Sequence, residues 1–253
     1  MGQINHRHDH GIAIIEIENE GRLNAFTRAM RGEIGALLGR ANDDPRVTAA
    51  VITGRGDAFC AGQDLNEAQG WNDETPWVEE FEDFFRALLR FQKPLVAAIN
   101  GVAAGGGFQM ALLCDSRIGH PGTLMGQPEV KRGLASVTGT WLLQRSVGDM
   151  RARELALSGR MIEAEELKQL GILNAIVPRN ELMAAAFAAC AQFAESPADS
   201  YARTKTWLYE SLSDEISTVI RDAAVAHRKG FASGVSQAGA THFLRPNQSR
   251  TSH

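Results

Sequence analysis

The sequence predicts an α/β fold, a core of parallel strands alternating with helices and followed by a helical C-terminal segment. Two observations carry this expectation. Short apolar runs suited to buried strands recur at 11–18, 48–54, 95–99 and 117–119, with helical periodicity between most of them. From about residue 150 the pattern changes to nearly continuous helical spacing, with one extended stretch at 173–177. Alternation of this kind is satisfied by a parallel sheet whose faces are covered by helices.

Taken in order, residues 11–18 (GIAIIEIE) alternate well enough for a strand. The stretch before it, MGQINHRHDHG, is polar, and His6, His8 and His10 read as a solvated tail in preference to a metal site. Thr27 is a side-chain cap for a helix with Met30, Ile34, Leu37 and Leu38 on one face. TAAVITG at 48–54 is a short apolar strand closed by glycine. A loop rich in Gly, Asp and Asn leads to an amphipathic helix over 76–91, which Lys93-Pro94 ends. LVAAI at 95–99 reads as a buried strand, followed by a glycine turn, a helix over 108–113 and a strand at 117–119. Helices are predicted beyond it at 151–157, 164–170, 181–194, 198–212 and 214–231. No Pro/Gly/Ser linker interrupts the chain, so the division falls near 195, between an α/β core (1–195) and a helical segment (196–253).

A chain of 253 residues with 44% hydrophobic and 22% charged residues is an ordinary globular composition. The net charge of -4 gives no push toward nucleic acid or an anionic membrane, and a charged ligand needs local groups to hold it. No apolar run reaches the length of a membrane span. The N-terminus lacks the apolar core of an export signal. Cys60, Cys114 and Cys190 are unclustered, which fits reduced thiols in the cytoplasm.

The chemistry is concentrated in GVAAGGGFQMALLCD, residues 101–115, where three glycines precede an apolar helix. Glycine is a costly way to begin a helix, so something must be gained that a side chain would block. The dinucleotide fingerprint is excluded, because Gly105 and Gly107 match only its first spacing, and the phosphate-loop pattern is absent. What remains is close strand–helix packing, or backbone N–H groups aimed at an oxygen that becomes negative during reaction. A second donor would come from FCAGQDL at 59–65, which also follows a strand end. Ligands of open α/β sheets gather beyond such strand ends.

RGDAFCAGQDL, KPLVAAINGVAAGGGFQMALLCD and GQPEV, in that order, resemble the crotonase superfamily of enoyl-CoA hydratases and isomerases. The similarity runs in register over about 11–178 and continues more weakly to about 246. The resemblance implies a crotonase-type spiral of repeated strand-strand-helix (ββα) turns, with the helical C-terminal segment serving oligomerisation in a homotrimer or homohexamer. It implies an acyl-CoA substrate, no nucleic acid or membrane partner, no metal and no separate cofactor, CoA being part of the substrate. It places the oxyanion hole on the N–H groups of Gln63 and Gly106, flanked by Gly105 and Gly107. Asn24, Ala25 and Phe26, with Ala61, Gly62, Asp64 and Leu65, would line the CoA channel, Asp64 chiefly by holding the loop.

The catalytic carboxylate implied is Glu129, within Gly126-Gln127-Pro128-Glu129. Its usual hydratase partner, a second glutamate, is replaced by Gln109, one turn into the helix. Adding water across a double bond divides naturally between two carboxylates, whereas moving a double bond needs one group that removes and returns a proton. Glu129 as sole acid/base therefore favours isomerisation. Hydration, or another lyase reaction, with a water held by Gln109 is the alternative, and a CoA-ester-binding protein with lost catalysis is the third reading. Ser136, in LASVTG, stands where the family varies its chemistry, and the sequence lacks a serine-hydrolase elbow there. His120 reads as structural, Trp71 and Trp77 as packing residues, and Lys131 and Arg132 as solvated charge.

Overall fold

The computed structural model describes residues 2–68 and 78–234. Trp71 and Trp77, and the first residues of the helix expected over 76–91, lie outside the described residues.

The chain opens with a hairpin of β1 (Gln3–Asp9) and β2 (Ile12–Glu18), turning through His10 and Gly11 at positive φ. The polar N-terminus is therefore a strand, contrary to the solvated tail expected from its sequence. Its seven residues pair antiparallel with β2, and as an edge strand it buries one apolar side chain, Ile4. Polar cross-strand contacts such as Gln3 Nε2 to Glu18 Oε2 (2.9 Å) replace apolar packing. Then come α1 (Arg28–Asp43), β3 (Ala49–Gly54), β4 (Ala58–Cys60), α2 (Leu65–Ala68), α3 (Glu79–Leu89), β5 (Leu95–Ala98), β6 (Val102–Ala104), α4 (Gly106–Leu112), β7 (Ser116–Gly119) and β8 (Leu124–Gly126). Thr27 caps α1 by accepting from Met30 N, and Met30, Ile34, Leu37 and Leu38 are buried as the spacing predicts. The C-terminal part holds α5 (Val137–Val147), α6 (Asp149–Ser158), β9 (Met161–Glu163), α7 (Ala164–Gln169), β10 (Ala175–Ile176), α8 (Leu182–Ala194) and α9 (Ala198–Ala232).

These strands form two sheets. The larger has the order β1-β2-β3-β5-β7-β10 and is parallel apart from β1; the smaller has the order β4-β6-β8-β9, with β9 antiparallel. Three consecutive pairs, β3–β4, β5–β6 and β7–β8, each place their first strand in the large sheet and their second in the small one. A helix follows each pair, so the chain winds as a spiral of strand-strand-helix turns. Asn100 fastens neighbouring turns: its Nδ2 donates to the carbonyls of Gly54, Gly56 and Ala58, and its Oδ1 accepts from Gly54 N. A buried amide with both ends satisfied fixes that turn's position.

The C-terminal helices are integral to this core. On the large sheet, Leu182, Ala186 and Cys190 of α8 pack against Ile14, Val51, Val96 and Ala98. The sequence predicts separate helices at 198–212 and 214–231, but α9 is continuous over its 35 residues. Nothing at Ser213-Asp214 breaks a helix, and Arg86 of α3 donates to Tyr209 Oη, Ser213 Oγ and Ser217 Oγ on either side of that point. Lys205 anchors the same helix through a 2.6 Å ion pair with Asp115, while Ile216, Ile220, Ala223 and Ala224 enter the main core. All three cysteines are free and buried, and burial pushes their thiols up to about 12. Among the described residues no helix is long and apolar enough to cross a membrane.

Candidate active site

The small sheet exists to bring two loops together. The loop leaving β4 carries Ala61, Gly62 and Gln63, and the turn leaving β6 carries Gly105 and Gly106 into α4. They touch: a Cβ built on Gly62, whose φ is +92°, would lie 3.0 Å from Gly106 N. One cavity opens over both loops, walled by Ala61, Gly62, Gln63, Leu65, Gly105, Gly106, Gln109 and Glu129. Phe81 of α3, Arg132, the 134–138 segment, and Ala223 and His227 of α9 complete it.

Backbone geometry leaves two N–H groups uncommitted here. Phe26 N donates to Gly62 O at 2.9 Å and Asp64 N donates to Phe26 O at 3.0 Å, a parallel bridge that turns the Gln63 N–H away from Phe26. Gly106 is the first residue of α4, where helical bonding offers its N–H no acceptor. Neither group has a hydrogen-bond acceptor among the described residues.

The three glycines have three different causes. Gly105 has φ +54°, a conformation that side chains rarely adopt, and a Cβ there would meet Glu129 Oε1 at 3.1 Å. At Gly106 a Cβ would press on the rings of Phe26 and Phe81, at 3.0 and 3.3 Å. Gly107 lies against β4, where a Cβ would stand 2.8 Å from the carbonyl carbon of Cys60 and closer still to its oxygen. Only the first is a matter of dihedral freedom; the other two are matters of close approach.

Glu129 sits in the 3-10 turn Pro128–Arg132, which starts at the residue after Gln127. Its carboxylate faces the cavity beside Gly105, and the residue is half-buried there. Gln109 Nε2 donates to Glu129 Oε1 at 3.2 Å, and Gln109 Oε1 accepts from Thr138 Oγ1 at 3.0 Å. Gln127 faces the same carboxylate: oriented to donate, its amide nitrogen lies 2.6 and 2.9 Å from the two carboxylate oxygens. Enclosure pushes the Glu129 carboxyl up to about 7, against the opposing pull of its own backbone N–H, the Arg132 charge and the Gln109 amide. A base of that strength is matched to neutral pH. If it acts as the initial base, kcat/KM is expected to rise with pH through about 7 and level off above. A pH–rate profile flat from 5.5 to 8.5 would remove Glu129 from that role.

Of the residues singled out in the sequence, Gln63, Gly106, Gln109, Glu129, Ala61, Gly62, Leu65 and Gly105 line the cavity. Asn24, Ala25, Phe26, Asp64 and Gly107 do not; they are buried behind it. Asn24 Nδ2 binds the carbonyls of Arg55 and Ala58, and the Ala25 carbonyl accepts from Asn19 Nδ2. Phe26 supports Gly106, and Asp64 holds its loop through Arg22 (2.6 Å) and Asn66 N (2.9 Å). The Gln109 amide is turned to Glu129 and Thr138. Ser136 and Arg132 line the cavity, Lys131 is exposed, and His120 Nδ1 accepts from Gly122 N within a turn. Gln127, Thr138 and His227 also belong to the site without being marked in the sequence, although the first two lie within GQPEV and LASVTG.

A spiral of strand-strand-helix turns with its cavity beyond the small sheet is the crotonase architecture. The sequence model of the enoyl-CoA hydratase/isomerase family matches residues 7–250. A Rhodobacter capsulatus protein named "Probable enoyl-CoA hydratase" is 37% identical over 209 residues, covering 81% of this chain and 80% of its own. A mevalonyl-coenzyme A hydratase of Aspergillus fumigatus is 34% identical, over 78% of this chain and 74% of that one. Among solved structures, an enoyl-CoA hydratase/isomerase from Mycobacterium paratuberculosis superposes with a TM-score of 0.85 at 26% identity, covering 94% and 97% of the two chains. The chain belongs to the enoyl-CoA hydratase/isomerase family, enzymes that act on acyl-CoA.

Proposed function

We propose that this enzyme moves the double bond of an enoyl-CoA thioester, with Glu129 as its only acid/base. The observation that carries this reading is that Glu129 is the one carboxylate among the described residues of the cavity wall. The thioester oxygen would accept from the Gln63 and Gly106 N–H groups. Glu129 removes a proton from the carbon next to the carbonyl, and the electron pair delocalises onto that oxygen as a dienolate. The protonated Glu129 then returns the proton two carbons further along the chain, and the charge collapses into the conjugated thioester. Two preorganised donors stabilise the intermediate, each worth about 2.7–4 kcal/mol.

Gln109 fits a supporting part. With its nitrogen on Glu129 and its oxygen on Thr138, it orients the carboxylate. Hydration is the second reading, favoured by relatives whose names are those of hydratases. In it a water held by Gln109 adds across the double bond, its hydroxyl going to the β-carbon while Glu129 takes its proton and delivers it to the α-carbon. CoA enters either reaction as part of the substrate, and the family expectation of a homotrimer or homohexamer accompanies both.

Incubation with 3-enoyl-CoA and 2-enoyl-CoA, followed by absorbance and mass, separates the two. Gain of conjugation at constant mass supports isomerisation; loss of conjugation with the mass of water added supports hydration. Gln109→Glu places a second carboxylate near Glu129 and is expected to raise hydration relative to isomerisation at least tenfold. An unchanged product ratio would count against Gln109 as the residue that divides the two reactions.

A further inference from the structure

Behind the Gln63 loop lies a cation that the reaction as described does not use. Arg31, on the buried face of α1, is 2% exposed. Its Nη1 donates to the Gln63 side-chain oxygen, and Gln63 Nε2 donates on to Glu67 at 2.6 Å. Its guanidinium stacks over the Phe81 ring, 4.1 Å from the centroid, and lies 5.7 Å from that of Phe26. Those two rings are the ones a side chain at Gly106 would strike. One planar cation therefore touches the residue whose N–H forms one side of the site and the rings that support the other.

As a stabilising device this arrangement is poor. Among the described residues Arg31 Nε and Nη2 have no hydrogen-bond partner, and the ion pair to Glu80 is long, 3.5 Å from Nη2 to Oε2. Burial so dominates that it pulls the guanidinium down to about 10. A buried, incompletely bonded cation carries a desolvation cost that an apolar side chain of equal size would not. Its contacts with Gln63 and the rings are what that cost maintains.

We propose that Arg31 is a positioning residue for the oxyanion site, locking the Gln63 loop to the Phe26–Phe81 pair so that both N–H groups converge on one thioester oxygen. The inference rests on the oxyanion reading above and adds a residue to it. A rigid clamp matters because an ångström of misplacement costs about 100-fold in rate. The positive charge acts in the same direction, since anionic oxygen is favoured in a poorly solvated site beside a fixed cation.

The test uses Arg31→Met and Gln63→Ala, which cut the contact from its two ends while keeping both backbone N–H groups, and the double variant. Each single change is expected to lower kcat 10- to 100-fold with KM within threefold, and the double variant to be no slower than the worse single. The second readout is the carbonyl stretch of hexanoyl-CoA carrying 13C at the thioester carbon, a probe with no double bond to react. On binding the intact protein the stretch moves to lower wavenumber, and both variants lose most of that shift while still binding. An unaltered shift and kcat in either variant overturns the proposal; if Arg31→Met does not fold, Gln63→Ala decides alone. A bound probe with no shift in the unmutated enzyme instead overturns the oxyanion reading itself.

Discussion

Glu129→Gln is expected to lower turnover about 1,000-fold or more while leaving acyl-CoA affinity within a few-fold. General acid–base groups typically contribute 10²–10⁴, and here a single group would carry both the removal and the return of the proton. The amide has the shape of the carboxylate but neither takes nor gives up a proton at a useful pKa. The Gln109 and Gln127 amides around it still have an oxygen to bind. Steady-state rates with either enoyl-CoA and calorimetric binding of a saturated acyl-CoA check the two halves. Activity within tenfold of the parent would end the single-acid reading.

The same substitution has a stability signature of known sign. The Glu129 carboxyl is raised from an ordinary value of 4.5 to about 7, so the folded protein holds a proton that the unfolded chain releases. Stability from this group is therefore lost as pH rises between those values and stays low above them. Glu129→Gln removes that loss, and the variant should melt at the same temperature or higher at pH 8, where activity is most impaired.

Gly107→Ala is expected to destabilise the enzyme by about 3 kcal/mol or more, lowering Tm by about 6–12 °C in a chain of this size. The obstacle is the Cys60 backbone, which cannot rotate away as a side-chain end would. Relief requires α4 and β4 to separate, and β4 leads directly into Ala61–Gln63, so kcat should fall further than folding alone explains. Gly39→Ala is the control: it lies in α1 with nothing within 4 Å of the added carbon, and should be neutral or slightly stabilising. Equal melting of Gly107→Ala and the parent would show that β4 and α4 are less tightly joined than they stand.

The large sheet was legible because its strands from β2 to β7 are apolar runs long enough to show a pattern. The small sheet was not: β4, β6, β8 and β9 have three residues each, too few for any periodicity. Yet those strands hold both loops of the cavity, so the geometry of the site leaves no periodic trace in the sequence. The edge strand β1 was lost for a different reason, since a strand with one apolar contact looks like a tail. In α9 the division expected at residue 213 is absent, and Arg86 bonds to side chains on both sides of that point. Within the site, the glycine run marks positions that a side chain would block, but the crowding comes from Glu129, two rings and a β-strand, which are distant in sequence. Arg31 was invisible for the same cause. Between Met30 and Ile34 it reads as a charge on the rim of a helix, and only its three-dimensional neighbours reveal otherwise.

One consequence of the long final helix concerns the pocket. Ala223 and His227 form part of the cavity wall, and α9 is pinned at its other end by Lys205 and along its middle by Arg86. The helix is thus a fixed part of the pocket wall, carrying one small side chain and one imidazole. A chain cut near residue 195 would lose this part of the cavity wall along with the helix.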